Sequence, residues 1–276
     1  MGNAFVRKSS RHLIAVAAVL AGTIGPAAAA DVGVLYGVRS VNQQYSFRSI
    51  NLGGSGTVRE LGMLAQPTGE RVSAIFQNQD RGIGLILTSV REQTTRRALV
   101  RMVGIPERLV DASLSEITSL ASAYSVSSIV VLISGLPISL ISHYSDTPPF
   151  WLGNVNLTSG QVTMLSLALE ANRRYGDLTQ CPDGSIYAIS RAPQWDVRLV
   201  RIDLSRRAAT LLVQPMLNGA PMYAELSSLT CSPAGQLYGL ADPGSSGINS
   251  IFAIDLNTGA LTRIREFDVD RMLFVR

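Results

Sequence analysis

The chain predicts an all-β fold, and within that class a five-bladed β-propeller. Three observations carry this. A segment repeats at a spacing of 51 residues with its turn residues in place. Each copy reads as four short strands separated by Pro-x-Gly, Asn-Thr-Gly or Thr-Ser-Gly turns. The last segment, Asp268 to Val275, is itself a strand, and the first unit begins without an inner strand of its own. Composition agrees: 46% hydrophobic and 16% charged residues in 276 exclude a disordered chain or a coiled coil, and 24 glycines and 12 prolines supply turns. With 2 cysteines, a disulfide-dense mini-protein is also excluded. A six-bladed ring and a β-sandwich are the competing architectures.

The first thirty residues read as an address. Residues 1–12 carry Arg7, Lys8 and Arg11 and no acid, Leu13 to Gly25 is an apolar run of 13 residues, and Pro26 breaks it. Ala28-Ala29-Ala30 then places small residues where a signal peptidase reads them. That order predicts a secretory signal peptide cut after Ala30, leaving residues 31–276 as one domain in the periplasm or outside the cell. At ~1.5 Å per residue the apolar run reaches about 20 Å, short of the ~30 Å bilayer core. No cysteine lies near the cut, which argues against a lipoprotein. Arg7-Lys8 is not a twin-arginine pair, and Val6 stands where a myristoylation site needs Ser or Thr. Beyond the address, Ile129 to Ile141 is the nearest thing to a membrane span. It is interrupted by Ser134, Gly135 and Pro137 and reads as a buried strand and turn, so no membrane insertion is expected.

Cleavage changes the charge argument. The whole chain is +4; without Arg7, Lys8 and Arg11, 21 basic residues face 20 acidic ones, a net of +1. Lys8 is the sole lysine, so the mature basic residues are all arginines. Arg96-Arg97, Arg173-Arg174 and Arg206-Arg207 are isolated pairs that read as solvated turns, and no nucleic-acid partner is expected.

The repeat is clearest late in the chain. Leu178 to Ile189 and Leu229 to Leu240 share Leu, Thr, Pro, Gly and Tyr at equivalent positions. Both continue into strands ending Ile202-Asp203-Leu204 and Ile254-Asp255-Leu256, and then through a polar turn into Ala209 to Val213 and Ala260 to Ile264. Upstream, Val155 to Thr163 echoes Ile254 to Thr262, and Val34-Leu35-Tyr36-Gly37-Val38 echoes Leu237-Tyr238-Gly239-Leu240. Ile50-Asn51-Leu52 with Thr57 to Leu61 gives the same hairpin, and Val72 to Phe76, Gly84 to Val90 and Leu99 to Val103 form a blurred copy. The units are taken as 32–64, 70–104, 115–166, 175–214 and 226–265. Alternation of apolar and polar residues is only partial, as expected of sheets covered on both faces. Stacked radially, each sheet covers its neighbours and leaves only short edges. The tail strand would supply the inner strand that the first unit lacks and join both chain ends in one blade.

The motif Leu-Thr-x-x-Pro-x-Gly-x-Leu-Tyr followed by Ile-Asp-Leu-x-Thr-Gly-x-x-Thr resembles the blades of secreted bacterial β-propellers, the broad sets related to NHL, Tyr-Val-Thr-Asn and quinoprotein-like repeats. The resemblance covers 175–265 clearly and 32–165 weakly. It implies a blade and no activity: the Tyr-Val-Thr-Asn tetrapeptide and the tryptophan docking motif are absent, so no active-site residues carry over.

Chemistry is constrained by what the mature chain lacks. His12 leaves with the address, so His143 is the remaining histidine, and multi-histidine metal sites are excluded. His143, before Tyr144-Ser145-Asp146, reads as a solvated loop residue. There is no Gly-x-Ser-x-Gly elbow, no lysine for a Schiff base or phosphate loop, and no dinucleotide glycine motif. No metal or cofactor is expected. Asp183, Asp203 and Asp255 recur at turns and strand ends and read as structural. Asp177, Glu225, Glu116 and Asp270 stand at or just before inner strands, whose ends can face a central funnel; two of them at a suitable separation could cleave a glycosidic bond. Arg173, Arg174 and Tyr175 precede one inner strand and Tyr223 another, a mixture suited to gripping a sugar or an anion.

Cys181 and Cys231 occupy nearly equivalent inner strands, offset by one residue, which turns them toward opposite sheet faces. Adjacent blades meet through opposite faces, so a bridge is permitted. Packed sheets stand ~10 Å apart, however, and a disulfide needs Cα atoms within ~7 Å, so the expectation leans to two buried thiols unless the blades converge near the axis.

The expected function is that of an exported, monomeric, non-catalytic scaffold binding a small molecule, a glycan or a protein. The alternative is a carboxylate-dependent, glycan-active hydrolase with its site in the funnel. Arg91 to Tyr124, outside the clean repeat, is the expected place for a specialised surface.

Overall fold

The computed structural model describes residues 33–275 except 67, 78–81, 90–93, 104–107, 117–123, 144–147, 157–158, 160, 168, 194–195 and 223–225, and describes 94–103 and 108–116 by their backbone. The expected signal peptide lies outside the described residues.

Among the described residues the strands form five four-stranded antiparallel sheets and a two-stranded ribbon. The first sheet has the order β22-β1-β2-β3, with β1 (Val34–Val41), β2 (Gln44–Asn51), β3 (Val58–Ala65) and β22 (Arg271–Phe274). The second runs β4 (Glu70–Gln77), β5 (Ile83–Ser89), β6 (Thr94–Val103), β7 (Arg108–Glu116). The third runs β8 (Tyr124–Val131), β9 (Pro137–His143), β10 (Trp151–Val155), β11 (Val162–Met164). The fourth runs β12 (Arg174–Gln180), β13 (Ile186–Ala192), β14 (Asp196–Asp203), β15 (Ala208–Leu211). A ribbon, β16 (Met216–Leu217) with β17 (Ala220–Pro221), precedes the fifth sheet, β18 (Ser227–Cys231), β19 (Leu237–Ala241), β20 (Ser250–Ile254), β21 (Leu261–Glu266). The architecture is all-β and a β-propeller arrangement. The first strands of the sheets touch in succession: β22 meets β4, β4 meets β8, β8 meets β12, β12 meets β18, and β18 meets β22.

The repeat residues explain the hairpins. In the Pro-Asp-Gly turn the Cys181 amide donates to the Ser185 carbonyl at 2.9 Å and the Gly184 amide to the Cys181 carbonyl at 3.0 Å. The Pro-Ala-Gly turn repeats this with Ser232 to Gln236 at 2.9 Å and Gly235 to Ser232 at 3.0 Å. Gly184 and Gly235 sit at φ 85° and 89°, the left-handed region where a side chain is strained. The aspartates expected at turns are there: Asp183 accepts the Ser185 amide, Asp203 the Arg206 amide, and Asp255 the Asn257 and Thr258 amides. The Asp203 carboxyl is held below the usual range chiefly by the Ser205 hydroxyl, and that of Asp255 by the Asn257 amide.

The core is a series of slabs between consecutive sheets. Tyr45 and Phe47 pack against Ile83 and Leu85, Phe76 and Ile86 against Val126 and Ile129, and Leu140 and Leu152 against Ile186 and Val200. Leu199 and Val197 then meet Leu226 and Phe252, and Leu240 and Ile251 meet Leu35 and Phe274. Both faces of each sheet are therefore buried, which is why strict alternation is missing from the sequence. Close contact within a sheet also selects residues: a Cβ at Gly84 would lie 2.1 Å from the Phe76 ring.

Two expectations are corrected. The second sheet does not end near residue 104; it continues through β7 to Glu116, and the third sheet starts at Tyr124 rather than 115. β7 follows β6 after Gly104-Ile105-Pro106-Glu107, a connection without the Pro-x-Gly order that marks the hairpins of the fourth and fifth sheets. Cys181 and Cys231 are joined by a disulfide with Cα atoms 5.1 Å apart, against the lean to free thiols. The ~10 Å spacing applies to sheets packed face to face; here β12 and β18 meet where the sheets converge.

Candidate functional site at the channel mouth

The first strands of four sheets, β4, β8, β12 and β22, open on one cavity of about 120 Å³. Arg71 and Ser73 come from β4, Ser125 and Ser127 from β8, Arg174, Tyr175, Gly176 and Asp177 from β12, Arg191 from β13 and Arg271 from β22. At the other end of these strands a smaller cavity of about 40 Å³ is lined mostly by apolar residues such as Phe76, Ile129, Leu178, Leu229 and Phe274.

Bulges shape the lining. Pairing slips at Val72/Ala74, Val126/Ser128, Gly176/Thr179 and Ser227/Thr230, at one level in four of these strands. A bulge re-aims a side chain and frees backbone groups. Asp177 and Ser228 take φ 57° and 54° there, a conformation uncommon for residues other than glycine. Hydroxyls at this level join neighbouring strands: Ser128 Oγ accepts the Leu178 amide at 2.7 Å, and Ser228 Oγ accepts the Met272 amide at 2.6 Å. The ring of inner strands is thus cross-linked by polar bonds just beneath the cavity.

The described lining is rich in arginine: Arg71, Arg174, Arg191 and Arg271 contribute to it, with one described carboxylate, Asp177. The geometry of Arg271 is set by neutral acceptors, and one bond of Arg191 is of the same kind. Arg271 Nε donates to the Ser73 carbonyl at 3.1 Å and its Nη1 to the Asp270 carbonyl at 2.9 Å, while Arg191 Nη2 donates to the Leu226 carbonyl at 2.7 Å. Carbonyl acceptors orient a guanidinium without cancelling its charge. Arg173 gives the contrast: it is buried, its Nε meets Ser190 Oγ, and its Nη1 and Nη2 donate to the Asp196 carboxylate and carbonyl at 2.7 and 3.0 Å. That charge is neutralised locally, and the Asp196 carboxyl is held below its ordinary range, chiefly by the bond from Arg173.

An aromatic cluster stands at the same end of the third sheet. The rings of Tyr124 and His143 stack with centroids 5.0 Å apart, and Trp151 meets them edge-on at 5.4 and 5.6 Å. His143 closes β9 instead of lying in a free loop.

Of the residues singled out from sequence, Arg174, Tyr175 and Asp177 meet at the cavity. The Tyr175 hydroxyl accepts the Glu170 amide at 3.1 Å, burial pushes its phenol up, and its ring packs into the core against Phe150. Arg173 turns away to Asp196. Asp270 Oδ2 accepts the Ser40 amide at 2.7 Å. Glu116 lies on β7, the outermost strand of its sheet, paired with Arg96. Tyr223 and Glu225 lie outside the described residues. Arg71, Arg191 and Arg271 and the Tyr124–His143–Trp151 cluster were not foreseen; an arginine at the opening of β4, β12 and β22 is a pattern visible only once those strand starts are known. Among the described residues there is no group of three or more His, Cys, Asp or Glu placed to hold a metal, and no helix is long and apolar enough to cross a membrane.

The chain matches no protein-family model and no curated protein sequence. Solved structures are similar in fold. A GH43 β-1,3-galactosidase is 11% identical with a TM-score of 0.53, over 86% of this chain and 57% of that one. A protein from Lactobacillus plantarum is 14% identical with a TM-score of 0.48, over 89% and 100%. The calcium-binding protein regucalcin from Agrobacterium tumefaciens is 13% identical with a TM-score of 0.44, over 87% and 75%. This chain spans somewhat more than half the length of the galactosidase. At such identity the galactosidase likeness shows the fold alone, a β-propeller arrangement.

Proposed function

We propose that the mature chain is an exported, monomeric, five-bladed propeller that binds an anionic ligand at its channel mouth and catalyses nothing. The carrying observation is the convergence of Arg71, Arg174, Arg191 and Arg271 on one cavity with Asp177 as its described carboxylate. Guanidinium groups recognise carboxylate, sulfate and phosphate through charge-assisted bonds, each contributing about 1.5–3 kcal/mol. Glycoside cleavage asks for two carboxylates across the bond. Of the three candidates among the described residues, Asp177 is at the mouth, whereas Asp270 is bonded to β1 and Glu116 lies on an outer strand.

The remaining parts of the reading have their own support. Pairing of Leu35 with Phe274 and of Val38 with Arg271 supports closure of the ring by its two ends. The Cys181–Cys231 bridge fits an oxidising compartment, in keeping with a signal peptide cut after Ala30. The four-stranded sheets support reading the chain as one of the broad class of secreted propellers that its repeat resembles.

Calorimetric titration with citrate at low ionic strength tests the reading. Wild type should bind, and the Arg71→Gln/Arg174→Gln variant should bind at least about tenfold more weakly. A panel of glycosidase substrates should show no turnover. An absence of citrate binding, or an affinity untouched by the double substitution, overturns the proposal.

A further inference from the structure

Resting on that reading, we infer that the ligand is an acidic carbohydrate, its acid group held by the arginines and a sugar ring laid against the Tyr124–His143–Trp151 cluster. The cavity of about 120 Å³ is small beside pockets of about 300–1,000 Å³ that enclose whole ligands. It admits an acid group and leaves the rest of the molecule on the rim.

The pleat shows what the rim offers. Val72 packs toward the first sheet, so Arg71, its neighbour on β4, projects from the opposite face, toward the third sheet. Val126 packs toward the second sheet, and Tyr124, two residues earlier on β8, shares its face. Arg71 and Tyr124 therefore project into the same gap between the second and third sheets at the mouth. Tyr124 carries His143 and Trp151 with it, and all three rings are partly exposed. A cation set opposite a partly exposed aromatic surface suits a ring with an apolar C–H face and an acid substituent.

Asp177 supplies the second argument. A carboxylate in a cationic mouth weakens the site for a bare anion by repulsion. It is useful to a ligand that also brings hydroxyl donors. Ser125 beside it adds a hydroxyl, and Ser127, whose own proton goes to the Leu140 carbonyl, adds an acceptor. Arginines, a carboxylate, serine hydroxyls and an aromatic surface together match a polyhydroxylated acid better than a dicarboxylate or free phosphate.

The test compares trigalacturonate, a sulfated disaccharide, neutral galactotriose and citrate by calorimetry on the mature protein. At least one acidic saccharide should bind about tenfold tighter than both citrate and galactotriose. Trp151→Ala should cut the preference for the acidic saccharide over citrate about tenfold, with a melting scan verifying its fold. Asp177→Asn should move the two ligands in opposite directions, weakening the saccharide and strengthening citrate severalfold. Citrate binding as tightly as every acidic saccharide, or galactotriose matching them, overturns the inference and leaves the anion site standing. Failure of citrate and all saccharides to bind removes both readings.

Discussion

Cys181 and Cys231 are joined across two neighbouring sheets, 50 residues apart in sequence and 5.1 Å apart at Cα. Cys181 follows β12 and Cys231 ends β18, so the bridge fastens the inner edges of the fourth and fifth sheets beside the apolar end of the channel. In the chain-entropy model a loop of this size contributes about 4 kcal/mol. Cys181→Ala/Cys231→Ala, or reduction of the wild type, should lower the melting midpoint by roughly 5–15 °C in a domain of this size. Reducing agent should have no further effect on the double variant. An equal midpoint with and without reductant would show that no bridge forms.

Asp196 and Arg173 predict an acid-sensitive contribution to stability. The Asp196 carboxyl is lowered in the fold, chiefly by its bond from Arg173, so the unfolded chain holds the proton more tightly than the native one. The contribution is therefore complete above the unfolded value of about 3.9 and is lost as pH falls through the lower, folded value. Asp196→Ala leaves a buried guanidinium short of its acceptor and should cost about 1–3 kcal/mol at pH 7. The gap between variant and wild type should narrow on denaturation curves taken below pH 4, and a gap that stays constant across this range refutes the assignment.

Phe274 carries the ring closure. It is almost fully buried, pairs with Leu35 and packs its ring 5.7 Å from that of Tyr238, while a Cβ on Gly33 would lie 2.9 Å from it. Phe274→Ala should destabilise by about 3–5 kcal/mol in urea unfolding. Val34→Ala, at the exposed start of β1, should stay within about 0.5 kcal/mol of wild type. Similar small losses for both would mean that the terminal strand does not hold the fold together.

The legibility of this chain from sequence followed the turns. Pro182 to Gly184 and Pro233 to Gly235 mark their hairpins because proline presets one backbone angle and glycine accepts another. The strands around them lie where the repeat puts them, and the tail strand pairs with β1, in the unit whose sequence lacks an inner strand. The blurred copy read from sequence reaches Leu99 to Val103, the second half of β6, but not β7, so Glu116 is expected near an inner strand when it lies on an outer one. The site was legible only where its residues adjoined a recognised strand, as Arg174 and Asp177 do. Arg71, Arg191 and Arg271 are scattered along the chain, and only the meeting of β4, β12, β13 and β22 at one cavity brings them together. Arg173 and Arg174 show the finer limit: adjacent residues on one pleat, one neutralised by Asp196 and the other at the mouth. Which of the two faces the axis depends on register, which composition does not encode.

The most direct test of the central claim is an anomalous difference map from crystals soaked in selenate. A peak is expected at the channel mouth within hydrogen-bond distance of Arg191 and Arg271, and it should be lost in Arg271→Gln crystals. A mouth without a peak, in crystals whose other surfaces bind selenate, would contradict it.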